Sequence, residues 1–517
     1  MRRTLAFIAA MVVLFAGCGK PPTNTSISNK FNETGYPIME EKIVLKMMGI
    51  TDPSFSDWSK NLFYRRMEEM TNICFEYTTV ALSNWGEKKN LAFASDDLPD
   101  VFFKSAITSQ EELTYGDQLF LIPLEMLIEK HAPNLNKIFA DEPEIKKAIT
   151  APDRHIYALP SINEASGLPL MYINEKWLDN LGLRMPETME EFVACLRAFK
   201  NDDPNMNKQK DEIPLTIWGI EQLKRFMANV GLLFGDGANV CVRNDKVIFT
   251  PSSGEYKNAL IQLRSLYKEE LLDNDTFTQT QEQVRAKGSG KSPVLGCLLT
   301  YSPDLQVGPD RHGDYVSFIP LKLNDGSRVW PTDSKVKRGK FAITNKNSYP
   351  EATIRWIDYL YSEEGGILSW AGKENEDFKF NDNKTRWQFI LEDDETVSQK
   401  RARTVMQPGG GEPCLKPVAF WNMIDDDTEQ KNISERNKVR PYFKEPFPLF
   451  YIGNEEQKKA DIIKTDVNSY ADQMLARFIT GDASLETEWD GYIKALERMG
   501  LSELLEIYNK AYGDYAE

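Results

Sequence analysis

The chain has 517 residues, enough at roughly 150 residues per domain for two to four domains around a sizeable core. Apolar residues make up 41% and charged residues 27%, the balance of an ordinary globular protein. Asp and Glu outnumber Lys and Arg by 78 to 62, and the net charge of −16 argues against a general nucleic-acid binder, while only three scattered histidines argue against a His-ligated zinc or iron centre.

Arg2 and Arg3 precede an apolar run from Leu5 to Phe15, followed by Ala16, Gly17 and Cys18. A charged start and about ten apolar residues form a secretory signal, too short for a spanning helix. The small-small-Cys ending resembles a bacterial lipobox, which implies that Cys18 becomes the lipidated first residue of the mature chain. Residues 19–40, rich in Thr, Asn, Ser and Pro, suit a flexible tether. No later run reaches the ~20 apolar residues a span requires. Cys74, Cys195, Cys241, Cys297 and Cys414 are isolated and read as small buried apolar residues, not a disulfide framework.

Residues 43–50 form a nearly unbroken apolar run, the pattern of a buried parallel strand. A polar loop follows at 51–58. Leu62, Met67 and Met70 then share one helix face, residues 73–79 alternate as a strand, a helical stretch runs to Ala94, and residues 100–103 are a short strand. This alternation predicts a doubly wound α/β lobe, with its ligand at the loops after the strands' carboxyl ends. Asp57 and Trp58, and the stretch after Phe103, occupy such positions. Residues 157–160 read as a strand able to leave that lobe. Residues 162–312 mix helices, loops and strands such as 246–250. Strands at 316–321 and 340–344 precede a helix at 351–361 that is apolar on nearly all sides. Leu485, Trp489, Tyr492, Leu496 and Met499 step by four, three, four and three. Gly500 ends that helix, and Leu501, Leu504, Leu505 and Tyr508 begin another.

The segment Tyr172-Ile173-Asn174-Glu175-Lys176-Trp177 through Leu183, with Pro186, Thr188, Glu191 and Phe192, resembles a stretch of extracellular solute-binding proteins of sugar-importing ABC transporters. Leu98–Phe102, Tyr157–Pro160, Phe341–Thr344, Arg355–Leu360 and Phe478–Gly481 resemble further segments of that family, in the same order. The large lipoprotein branch that includes alginate-binding proteins fits best. The resemblance implies a periplasmic-binding-protein-like α/β fold: two doubly wound lobes, a hinge, and a ligand cleft between them. Its expected boundaries are 41–161 with 313–371 for the first lobe, 162–312 with 372–480 for the second, and C-terminal helices over 481–517.

Asp203, Asn205, Asn207 and Asp211 place oxygen-bearing side chains at alternate positions of a short loop, with a carbonyl available from Gln209 and a carboxylate from Glu212. Calcium takes six to eight oxygens, and alternate residues of a curled loop converge on one point. The segment resembles the structural calcium loop of the alginate-binding branch, with Met206 and Lys208 where that family has glycines. A polar loop capped by Asn and Asp turns is the alternative.

Sugars offer flat apolar faces to aromatic rings and rim hydroxyls to polar groups. Trp58, Trp218, Trp330, Trp370 and Trp421 lie in or beside polar loops and are candidate cleft aromatics, joined by Tyr115. Asp57, Glu164 and Lys104 are the polar candidates. Gly288-Ser289-Gly290-Lys291-Ser292 suggests a phosphate loop, but Arg285 stands where the first glycine belongs. Asp393-Asp394 and Asp425-Asp426-Asp427 are adjacent acids on polar loops, not the facing pair of a glycosidase. No G-x-S-x-G elbow occurs.

The expectation is a monomeric, lipid-anchored protein at the extracytoplasmic face of a bacterial membrane. It captures an oligosaccharide and delivers it to ABC permease subunits, without an organic cofactor and without chemistry. The competing readings are a secreted glycosidase or lyase, and a surface glycan-sensing or adhesion protein on the same fold.

Overall fold

A computed structural model describes residues 30–52, 57–163, 169–235, 239–406 and 411–516. The first sheet is built from β1 (Ile43–Thr51), β2 (Ile73–Ala81), β3 (Val101–Phe103) and β4 (Leu159–Ile162). The second uses β5 (Leu170–Asn174) and β6 (Ile213–Thr216). A separate hairpin joins β7 (Val240–Arg243) to β8 (Lys246–Phe249). The second sheet then gains β9 (Leu295–Thr300) and β10 (Tyr315–Ser317). After the short β11 (Trp330–Pro331), β12 (Val336–Ile343) returns to the first sheet.

The first sheet runs β2-β1-β3-β12-β4, with β1 parallel to β2 and β3, and β12 antiparallel to β3 and β4. The second runs β10-β5-β9-β6, with β5 antiparallel to both neighbours and β6 parallel to β9. Helices alternate with the strands β1, β2 and β3 of the first sheet, as the sequence pattern predicts, and helices also separate the strands of the second. β3, β4, β5 and β9 are buried along their whole length, whereas β1, the run read as a buried strand, leaves Val44 and Lys46 exposed. Asn61 caps the helix Leu62–Thr71 by accepting from the Phe63 amide, and Asn72, in the left-handed region, ends it.

The strand pairings show where the chain passes from one sheet to the other. Residues 313–371 do not all join the first sheet, because Tyr315–Ser317 bonds to β5 and only the chain from Val336 onward returns. The strands near 316 and 340 are thus in different sheets. Residues 372–416 make contacts with the first body, and within this segment Phe378, Trp387 and Phe389 form a small separate core with Phe420, Ile424 and Ile433. Arg66 pairs with Glu376 and Asp377, the Asn61 amide donates to the Ala402 and Val405 carbonyls, and the Leu415 amide bonds the Leu360 carbonyl. Only from the helix Asp427–Val439 does the chain meet the second sheet, where the Ser317 hydroxyl and amide donate to Glu435. The helices Asn454–Thr480, Trp489–Arg498 and Leu501–Ala516 pack together with the second sheet's core.

Candidate functional site

In the first sheet, β1, β3 and β4 end their parallel run at Thr51, Phe103 and Ile162, beside the antiparallel start of β12. In the second, β6 and β9 end at Thr216 and Thr300. These edges face one another. A cavity of about 340 Å³ is lined from one side by Glu221, Lys224 and Arg225, just after β6, and from the other by Val336, Lys337 and Lys340 on β12. Arg225 reaches Asp333 at 3.5 Å across it.

Lys104 follows β3 directly, at a φ of 50°, and is nearly buried. Its ammonium lies 3.5 Å from Oε1 of Glu412, itself 2% exposed. Burial pulls the Lys104 ammonium below its usual range, against the attraction of Glu412. Beside this pair, the Ile162 amide donates to the Cys414 carbonyl and the Lys416 amide donates to the Ile162 carbonyl, so β4 pins residues 414–416 at the cleft.

Trp370 and Trp421, 51 positions apart in the chain, meet here edge to face with ring centroids 6.1 Å apart. Lys416 holds its ammonium 4.6 Å from the Trp370 ring and 5.5 Å from the Trp421 ring. The Arg401 guanidinium lies 5.8 Å and 5.1 Å from the same two rings. The Trp421 indole N–H donates to Glu429 at 3.3 Å. All four side chains of this cluster are half-buried. Such an arrangement can stack a sugar ring and bond its hydroxyls.

The other expected contacts distribute differently. Trp330 is 1% exposed, donates to the Pro169 carbonyl at 3.1 Å, and is core. Trp58 is 2% exposed and stacks on Tyr64 with centroids 5.0 Å apart. Neither ring has a free face for a ligand in this conformation. The apolar surface of an indole drove both inward, an outcome that polar neighbours in sequence do not reveal. Tyr115 spends one ring face on Phe93, at 3.5 Å between centroids. Asp57 is solvated, its carboxyl held below the usual range by Lys60 and Ser59. Trp218 stands half-buried just after β6, at the cleft edge. Glu164 and Cys18 lie outside the described residues.

Sequence reasoning missed Arg401, Glu412, Lys416, Glu429 and Tyr301. Tyr301, 48% exposed, directly follows β9 at its cleft end, and that position was the available signal. The others carry no periodic pattern, because their neighbours come from distant segments.

In the loop at 203–212, the Asp203 carboxylate accepts from the amides of Asn207 and Lys208, and Asn207 Oδ1 accepts from the Gln209 amide. Met206 and Lys208 hold φ values of 57° and 61°, the left-handed conformation for which glycine is usual. The side-chain Nδ2 groups of Asn205 and Asn207 donate to the Asp211 carboxylate. Oε1 of Glu212 is buried without a hydrogen-bond partner, and burial, with Asp211 and Asp203 adding, pushes that carboxyl above its usual range. The described residues contain no group of three or more His, Cys, Asp or Glu side chains placed to hold a metal. The donor set here is instead mixed carboxylate and amide oxygen, with an orphaned carboxylate oxygen at its edge, which fits a hard divalent cation.

Residues 288–292 form no phosphate cradle. The Gly288, Gly290 and Lys291 carbonyls all accept from Arg311, so acceptors rather than N–H donors converge. Asp426 caps the helix Asp427–Val439 by accepting from the Glu429 amide. Cys195, Cys241, Cys297 and Cys414 are buried free thiols, and Cys74 is half-exposed. No helix among the described residues is long and apolar enough to cross a membrane.

Residues 52–367 match the family model of the bacterial extracellular solute-binding protein. The chain is 28% identical over 535 residues to the fructooligosaccharide ABC transporter substrate-binding protein FusA of Streptococcus pneumoniae, covering 99% of this chain and 98% of that protein. It is 27% identical over 547 residues to the lipoprotein LipO of Bacillus subtilis, with 99% and 98% coverage. FusA in complex with kestose superposes with a TM-score of 0.73 at 29% identity, over 92% of this chain and 99% of that one. An EF-hand mutant of FusA with fructo-nystose also gives 0.73, at 28% identity and the same coverage. A solute-binding protein of Bifidobacterium longum infantis shares the fold, with a TM-score of 0.79 at 22% identity over 92% and 99% of the two chains.

Proposed function

The chain belongs to the bacterial extracellular solute-binding protein family, and on that footing we propose that it captures an oligosaccharide between two lobes and hands it, chemically unchanged, to the permease subunits of an ABC importer. The observation that carries this reading is the half-buried Trp370–Trp421 pair, flanked by Arg401 and Lys416, where the first body meets the helix that leads to the second sheet. The similarity to FusA along almost the whole chain supports it. A ligand held by both bodies stabilises the closed arrangement through contacts that the open one lacks.

The division into lobes follows the sheets, with the crossings near 163–169, between 317 and 336, and near 416–427. The loop at 203–212 holds a structural calcium ion through Asp203, Asn205, Asn207, the Gln209 carbonyl, Asp211 and Glu212. The FusA EF-hand mutant supports that assignment. Cys18 carries the lipid anchor, a reading supported by the lipoprotein LipO. The mature chain works as a monomer on the outer face of the membrane.

The test is a thermal-shift screen of the mature chain against oligosaccharides, with chromatography of the sugars afterwards. A true ligand raises the melting temperature by binding the folded state, and the sugar is recovered intact. Shortened products would establish the glycosidase or lyase reading instead, and a folded protein that no oligosaccharide stabilises would overturn the transport reading.

A further inference from the structure

A neutral sugar leaves one feature of the cleft unexplained. Arg401 and Lys416 lie over the two tryptophan rings, and among the described residues neither has an ion-pair partner. Nε and Nη2 of Arg401 are closed off from solvent without a hydrogen-bond partner. Those two nitrogens give up hydrogen bonds to water and gain none in return, a loss that the ring faces offset only in part.

The surrounding charges do not close the gap. Lys104, Lys337, Lys340 and Arg436 add four cations to Arg401 and Lys416, against the carboxylates of Asp52, Glu412 and Glu429. Glu412 is already engaged, 3.5 Å from Lys104 and bonded by the Gly411 amide. Glu429 accepts from the Trp421 indole. Around this cluster six cations therefore face three carboxylates, within a chain of net charge −16. Burial and the neighbouring Arg436 push the Lys416 ammonium down to about 8, so this cation is strained as it stands.

We propose that the ligand is an acidic oligosaccharide, its ring face on Trp370 and Trp421 and a uronate-type carboxylate between Arg401 and Lys416. This rests on the transport reading and narrows its substrate class. The planar Arg401 fork suits a carboxylate bidentately, and charge-assisted bonds of this kind are about twice as strong as neutral ones.

The experiment is calorimetric titration of the mature chain with size-sorted oligogalacturonates and oligoalginates, their methyl esters, and neutral fructooligosaccharides. At least one acid is expected to bind about tenfold or more tightly than its own ester, a preference that shrinks as sodium chloride is raised. Arg401→Gln and Lys416→Gln are each expected to abolish that preference, weakening acid binding about tenfold more than they weaken ester binding. Acids that bind no better than their esters, or neutral sugars that bind while acids do not, would overturn the acidic-ligand inference and leave the transport reading standing. Folded protein that binds none of these sugars would remove both.

Discussion

Four tryptophans with similar polar sequence neighbours take two different roles. Trp330 and Trp58 are enclosed in the cores of the two bodies, whereas Trp370 and Trp421 keep part of their surface open beside paired cations. Gly49 shows how tightly Trp58 is held, since a Cβ there would meet its ring at 2.6 Å and the Phe103 carbonyl oxygen as well. The roles separate by mutation. Trp330→Ala is expected to destabilise the fold by about 3–5 kcal/mol in urea titration, leaving a large void and an unpaired Pro169 carbonyl. Trp421→Ala is expected to cost less stability but to weaken sugar binding by about tenfold, measured by calorimetry. Equal effects of the two substitutions on stability and affinity would contradict this assignment.

At the scale of elements, the loop at 203–212 holds Met206 and Lys208 in the left-handed conformation for which glycine is usual. Each non-glycine residue in that conformation costs about 1 kcal/mol, so convergent hydrogen bonds from Asp203 and Asn207 hold the loop in shape. Lys208→Gly is accordingly expected to raise stability by about 1 kcal/mol. Chelator treatment is expected to lower the melting temperature, calcium to restore it, and Asp211→Ala to abolish the response. A melting temperature indifferent to both chelator and calcium would reject the site. The 288–292 loop is the opposite case: its motif suggests donors, but the backbone presents carbonyls to Arg311.

Across the whole molecule, the chain passes repeatedly between the two bodies, and one buried cluster sits at such a passage. Glu112, on the helix Ser109–Asp117 beside the first sheet, accepts from the Tyr451 hydroxyl at 2.6 Å, and the Arg338 guanidinium of β12 lies 4.0 Å from the Tyr451 ring centroid. Burial pushes the Glu112 carboxyl up to about 7, against the pull of Tyr451 and Arg338, with Glu111 adding to the rise. The folded state therefore keeps a proton that the unfolded chain releases above about 4.5. Between these values the unfolded state binds fewer protons, so stability falls as pH rises and levels off above about 7, a loss on the order of 3 kcal/mol. Glu112→Gln is expected to remove this contribution. Its stability relative to the parent should increase from pH 4.5 to 7, as followed by denaturant unfolding across that range. A constant difference between the two proteins would show that Glu112 does not titrate there.

What the sequence by itself determined was whatever is written in local periodicity and turn chemistry. The strands β1 and β3, the C-terminal helices stepping from Leu485 to Tyr508, the oxygen spacing from Asp203 to Glu212 and the α/β alternation of the first sheet all follow from short-range patterns of burial and capping, whereas the second lobe was implied by the family resemblance. What only the tertiary structure decided was which segments meet. Arg401, Glu412 and Lys416 acquire meaning because β4 pins residues 414–416 at the cleft and the helix ending at Trp370 brings one ring to another 51 residues away. The same long-range packing moved Trp58 and Trp330 inside and sent Tyr315–Ser317 to the second sheet. Apolar burial rewards any complementary partner, whatever its distance along the chain, so the residues that share a site leave no trace in their spacing.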